Sequence, residues 1–194
     1  MPIRNLWSLE PDECTVAEEL ASCLKDCQIF FPLHDVGIDL LLVQGKRHVG
    51  VQVKGSRYYT AKERRALPKE RWHTWHHVKA KNLGDGGGPD FYVFVAYIPQ
   101  EGDHRVDRFE KKFLVVPTRE IRKRIPGKNK GRRGIYSFYF RFEDKKIVDI
   151  HEPHAKDESV DYSRFLNRWD LIRNALQRKG GGPQSTDTLV SLNK

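Results

Sequence analysis

VGIDLLLVQGKRHVGVQVKGSR, residues Val36–Arg57, reads as two apolar strands joined by a Gly45-Lys46 turn. Ile38–Val43 is the first strand and Val49–Val53 the second, each a short apolar run bounded by turn residues. Three polar groups break the pattern at one end. Asp39 sits just inside the first strand, and Gln52 and Lys54 flank Val53 at the end of the second. Side chains alternate along a strand, so Gln52 and Lys54 leave on one face and Val53 on the other. An acid, an amide oxygen and an ammonium thus converge at one end of a hairpin. Left idle on a buried hairpin, such a cluster costs on the order of several kcal/mol. The set is suited to holding a divalent cation beside a phosphate.

Working outward, Thr15-Val16-Ala17-Glu18 matches a capping box and predicts a helix from Val16 to Cys27. Val16, Leu20, Cys23, Leu24 and Cys27 fall on one stripe of that helix, with Glu19 at its border and Glu18 almost opposite. A short strand, Gln28–Leu33, leads into the hairpin. Tyr58–Leu83 is a basic segment rich in His and Trp, expected to be partly helical and broken at Pro68. Within it His73, His76 and His77 have i, i+3, i+4 spacing, and Trp72 and Trp75 could stack on bases or pack in a core. No further ligand of suitable spacing stands near the histidines, so phosphate contact or a half-buried polar face suits them better than zinc.

Gly84–Gly88 is a flexible connection, and Asp90–Ile98 (DFYVFVAYI) is a strongly β-prone buried strand. Phe113–Val116 is another strand, followed by a short helix over Arg119–Ile125 and a basic loop, Gly127–Gly134. In Ile135–Phe142 the residues Tyr136, Phe138, Phe140 and Phe142 make one aromatic face. Asp161 can cap a last helix that carries Phe165, Trp169, Ile172 and Leu176. Residues 1–178 therefore read as one domain with basic elaborations at 57–83 and 119–134, and 179–194 as a disordered tail.

Charge is segregated. The chain of 194 residues carries a net +9, yet residues 45–82 hold +9 by themselves and residues 119–133 hold +7, leaving the remainder at −7. Two concentrated positive fields favour a polyanionic partner. No apolar run is long enough to cross a bilayer, the N-terminus lacks a signal-peptide core, and Cys14, Cys23 and Cys27 show no paired spacing. A reducing cytoplasm, no membrane and no disulfide framework are expected.

The unit from Thr15 to Arg57 resembles the core of the PD-(D/E)xK nuclease superfamily, the restriction-endonuclease-like fold. In that family an acid opens the second core strand and an acid-x-Lys or Gln-x-Lys follows on the third; Asp39 and Gln52-Val53-Lys54 match those parts as a Gln-x-Lys variant. The resemblance covers about the first third of the chain. It implies an α/β fold with a mixed central β-sheet flanked by helices, in α-β-β-β-α-β order. It further implies a Mg²⁺-dependent (or Mn²⁺-dependent) nuclease acting on nucleic acid, most readily DNA. Asp39, the Gln52 oxygen and the Val53 carbonyl would be metal ligands, with Glu19 preferred over Glu18 from the preceding helix. Lys54 would serve the nucleophile. Arg57, Lys62, Arg64, Arg65, Arg71, Lys79, Lys81, Lys128, Lys130, Arg132 and Arg133 are the expected nucleic-acid contacts. A homodimer is allowed. Gln52 removes one negative charge from the site, so a cutting-inactive nucleic-acid-binding or regulatory module on the same fold is the alternative.

Overall fold

The computed structural model describes residues 9–34, 37–56, 59–60, 72–84, 88–99, 109–128, 130–131, 133–143, 146–150 and 159–177. In chain order these give helix α1 (Pro11–Cys23) and strands β1 (Gln28–Phe30), β2 (Leu40–Gln44), β3 (Arg47–Ser56), β4 (Tyr59–Thr60), β5 (Trp72–Lys79), β6 (Phe91–Pro99) and β7 (Phe109–Pro117). Helix α2 (Thr118–Arg124), strands β8 (Ile135–Glu143), β9 (Lys146–Ile150) and β10 (Ser159–Asp161), and helix α3 (Asp170–Gln177) follow.

Among the described residues the strands form two five-stranded sheets, ordered β1-β2-β3-β6-β7 and β10-β9-β8-β5-β4. The first is mixed: β3 and β6 run parallel, and every other pairing is antiparallel. Alternation along its strands sends side chains into two cores. On one face Val51, Val53, Val93 and Val95 pack beneath Val16 and Leu20 of α1 and Ile172 and Leu176 of α3. On the other, Tyr92, Phe94, Ala96, Leu114 and Val116 meet Val78, Phe138, Phe140 and Phe142 of the second sheet. Burial on both faces explains why β6 is written as an unbroken apolar run. Each of these large side chains contributes about 1.5–3 kcal/mol on burial. The expected mixed sheet flanked by helices is therefore present: α1 and α3 cover one face, and a second sheet, joined by Ile121 of α2, covers the other.

Three expected elements are corrected. Helix α1 begins at Pro11, not after Thr15: Glu10 is the extended residue before it and Pro occupies its first turn, where a missing N–H costs nothing. Within the segment expected to be partly helical, Trp72–Lys79 is strand β5, followed by one 3-10 turn over Ala80–Leu83, and residues 61–71, with the expected break at Pro68, lie outside the described residues. Eight consecutive pairings with β8 hold β5 extended, a non-local gain that outweighs local spacing. The element order after the third strand consequently departs from α-β. Finally, Asp161 does accept a hydrogen bond from Ser163 N (2.8 Å), but the turn it opens is a 3-10 turn over Ser163–Phe165. Phe165 joins the inter-sheet core, whereas Trp169, Ile172 and Leu176 pack with α1. No helix among the described residues is long and apolar enough to cross a membrane. The expected tail, 179–194, lies outside the described residues.

Candidate functional site

The β2–β3 register pairs Leu40 with Val51, and Asp39 N donates to Val51 O (2.8 Å). That places Asp39 level with the Gln52–Val53 segment, as the turn between the strands dictates. Its Oδ2 accepts from Val53 N (2.8 Å) and from the Gln52 side-chain amide. Asp39 and Gln52 are only 7% and 4% exposed, while Lys54 is half-buried. Thirteen positions apart in sequence, an acid and an amide are in direct contact. Both belong to the sheet face that looks at the second sheet, because Gln52 and Lys54 stand beside Tyr92 and Phe94 in the parallel register.

A third side chain joins them from far along the chain. Asn82, in the 3-10 turn, donates through Nδ2 to Gln52 Oε1 (3.3 Å). Gly37, at φ +83°, makes room for it: a Cβ there would lie 2.6 Å from Asn82 Nδ2. The turn itself is held by Arg122, whose Nε donates to Leu83 O (2.7 Å) and whose terminal nitrogen donates to Gly84 O (2.8 Å). Below Lys54 lies His76, 2% exposed, with Nε2 3.0 Å from Thr74 Oγ1 and its ring against Phe94 and Phe140. Burial drives His76 down to about 3, opposed by the Lys54 backbone carbonyl and assisted by the Lys54 charge. The ring is a neutral wall beside the lysine.

The donor set fits a hard cation. Asp39 supplies a carboxylate, and the Gln52 amide and Val53 carbonyl are neutral oxygens of the kind Mg²⁺ accepts. As drawn by the hydrogen bonds, Gln52 turns its NH₂ toward Asp39 and its oxygen toward Asn82. The same planar amide rotated by half a turn presents oxygen to the carboxylate side, and Asn82 can follow because its own oxygen then accepts. Among the described residues no three His, Cys, Asp or Glu side chains gather as a metal cluster. Any ion here leans on fewer than three such side chains, with amide and backbone oxygens and water completing its shell.

Glu19 is half-buried and Glu18 exposed on α1, whereas Glu13 is 4% exposed. It is the first turn of α1 that meets the end of β3: Asp12 lies so close that a Cβ on Gly55 would fall 1.4 Å from its Oδ2. Asp12 also accepts from Tyr97 Oη, and burial together with Asp12 lifts that phenol to about 12. Glu13 is thus the buried acid beside the β3 segment that bears Lys54. Glu19 lies six residues on, roughly 9 Å further along the helix axis. Glu13 stands three residues before Val16 and seven before Leu20, on the apolar stripe itself. That spacing was legible once the helix is started at Pro11.

The two basic stretches meet at one edge. Lys79 pairs with Ile135, and Ala80 N donates to Gly134 O (2.8 Å), so the end of β5 and the start of β8 are side by side. Lys79, Lys81, Lys130 and Arg133 are all exposed there. Lys81 shares its turn with Asn82, the residue bonded to Gln52. A cationic edge therefore adjoins the Asp39–Gln52 pair.

No protein-family model matches this chain, and no curated protein does either. Among solved structures, a bacterial homing endonuclease, I-Ssp6803I, is similar over 90% of this chain and 94% of its own, at 16% identity and a TM-score of 0.45. A likeness of that degree decides nothing about this chain's chemistry.

Other expected contacts fall elsewhere. Lys128 is not a surface cation: its side chain is 4% exposed, and its ammonium pairs with Asp149 at 2.7 Å (side chain 3% exposed), donates to Ser137 O (3.0 Å) and lies 4.3 Å from the Phe138 ring centroid. On a strand, His76 and His77 point to opposite faces, inward and outward, so the helical spacing of the three histidines has no spatial meaning. Arg57, Lys62, Arg64, Arg65, Arg71 and Arg132 lie outside the described residues.

Proposed function

We propose that this chain is a metal-dependent nuclease that hydrolyses phosphodiester bonds, with DNA as its substrate and Mg²⁺ or Mn²⁺ as its ion. The observation that carries the reading is the single 3-10 turn over Ala80–Leu83. It sets Asn82 on Gln52, beside Asp39, and Lys81 in the exposed cationic edge. A site for a hard cation and a surface for a polyanion are thereby continuous.

When bound, the ion would lower the pKa of a coordinated water and neutralise phosphate charge. Asp39 supplies the carboxylate, with the Gln52 and Val53 oxygens beside it. Glu13 takes the part first assigned to Glu19. Lys54, a compact cation half-buried at the end of β3, orients the attacking water and balances charge that develops on the phosphoryl oxygens. Lys79, Lys81, Lys130 and Arg133 hold the backbone.

One observation favours the second reading, a binding or regulatory module that no longer cuts. The Gln52 amide donates into Asp39, so a neutral group already answers the carboxylate that the ion needs. A plasmid-nicking assay with and without Mg²⁺ or Mn²⁺ separates the two. The nuclease reading expects metal-dependent nicking that Asp39→Ala and Lys54→Ala abolish. Salt-sensitive binding without nicking supports the module, and nicking indifferent to both substitutions removes the site assignment.

A further inference from the structure

Tyr92 stands directly beside Gln52, its Cα partner in the parallel β3–β6 register. Parallel neighbours leave the sheet on the same side, so the phenol and the amide share a face. Tyr92 is fully buried, and its ring stacks on Phe94 at 6.0 Å between centroids and 16° between planes. Its hydroxyl meets no hydrogen-bond partner among the described residues. Asp39 and Arg122 are the charged groups within its electrostatic reach. Burial first, then the Asp39 charge, raise the phenol above its ordinary value, and Arg122 opposes them.

A buried hydroxyl without a partner is a standing cost that Phe, of nearly the same shape, would remove. Packing therefore gives no reason for the oxygen. Among the described residues, the hydrogen-bonded polar ensemble beside it in the sheet is Asp39, Gln52 and Asn82.

We propose that Tyr92 is a positioning residue of the cation site, its hydroxyl held for a water in the hydration shell of the ion at Asp39. The inference rests on the metal-dependent reading above. Mg²⁺ and Mn²⁺ bound by few protein ligands keep several waters, and each such water needs an acceptor or a donor around it. A phenol O–H can serve as either. Groups that hold a ligand's partner in this way commonly change ion affinity about tenfold or more.

The test is a thermodynamic cycle on the full chain with MnCl₂ as the probe. Thermal unfolding of the wild type and Tyr92→Phe is followed with and without the ion, and Mn²⁺ affinity is measured by calorimetry, with Asp39→Ala as control. Without the ion, Tyr92→Phe should melt higher by about 2–6 °C, since an unsatisfied group has gone. With saturating Mn²⁺ the advantage should vanish or reverse, and affinity should weaken about tenfold. A purely structural tyrosine would give the same shift in both conditions and an unchanged affinity; that result overturns this inference and leaves the nuclease reading standing. A Phe variant that melts lower without the ion also overturns it, because the hydroxyl would then be bonded within the fold. If the wild type binds no Mn²⁺ that Asp39→Ala removes, the metal-dependent reading itself falls, and this inference with it.

Discussion

Lys128→Met offers the sharpest separation of a structural cation from a functional one. The Lys128 and Asp149 side chains are 4% and 3% exposed, their ammonium and carboxylate 2.7 Å apart beside Phe138 of the inter-sheet core. Removing the ammonium leaves a buried carboxylate that keeps the Tyr139 N–H (3.0 Å) but loses the Lys128 charge. Breaking a buried pair from one side costs about 3–5 kcal/mol. Met fills most of the lysine stem's volume against Phe138 and recovers part of the packing. A net loss of about 3 kcal/mol is expected at pH 7, or a fall in Tm of about 6–12 °C for a chain of this size. Lys128→Met with Asp149→Asn should recover most of it, since Asn keeps an acceptor for Tyr139 without the charge. Equilibrium urea unfolding measures both quantities. A single variant within 0.5 kcal/mol of the wild type (~0.5, the usual span of surface changes), or a double variant less stable than the single, would refute the reasoning.

Three further outcomes follow from the same geometry. Neutralising Lys79, Lys81, Lys130 or Arg133 one at a time should lower the slope of log affinity against log salt for DNA by about 0.9 each, while Lys128→Met leaves the slope unchanged; filter binding across a salt series decides it. His76, neutral in the fold with its value at about 3, binds a proton in the unfolded chain below about 6.5. Its contribution makes stability fall as pH drops from 6.5 toward 3, by up to about 1.4 kcal/mol per unit, and His76→Leu should flatten that slope in unfolding titrations. Glu13→Gln should depress metal-dependent nicking far more than Glu19→Gln; equal effects would return the helix acid to an open question.

The hairpin and its three polar groups were legible in the sequence because they are local. A tight turn fixes register, and register fixes which side chains share a face, so Asp39 and Gln52 had to meet. DFYVFVAYI likewise announced a buried strand, and the alternation after Ile135 announced an aromatic face that is indeed core. The start of α1 was misread for a physical reason. Thr15 satisfies a capping pattern, but Pro11 opens the helix five residues earlier, and that added stretch contains Glu13, the acid at the buried end beside β3.

What local spacing could not supply was pairing across long stretches of chain. WHTWHHVK is extended because β8, some sixty residues later, claims every one of its residues. Only that pairing sends His76 inward, brings Lys79 and Lys81 against Lys130 and Arg133, and delivers Asn82 to Gln52. Lys128 shows the same limit from the opposite side. Nothing in GKNKGRRG distinguishes one lysine from another, and a buried partner on β9 decides which of them meets solvent. Composition and alternation determined that this chain has a polar hairpin end and two positive stretches. Tertiary structure decided that they adjoin, because burial and non-local hydrogen bonding, summed over whole sheets, exceed the few tenths of a kcal/mol (~0.5) by which neighbouring residues favour one local conformation over another.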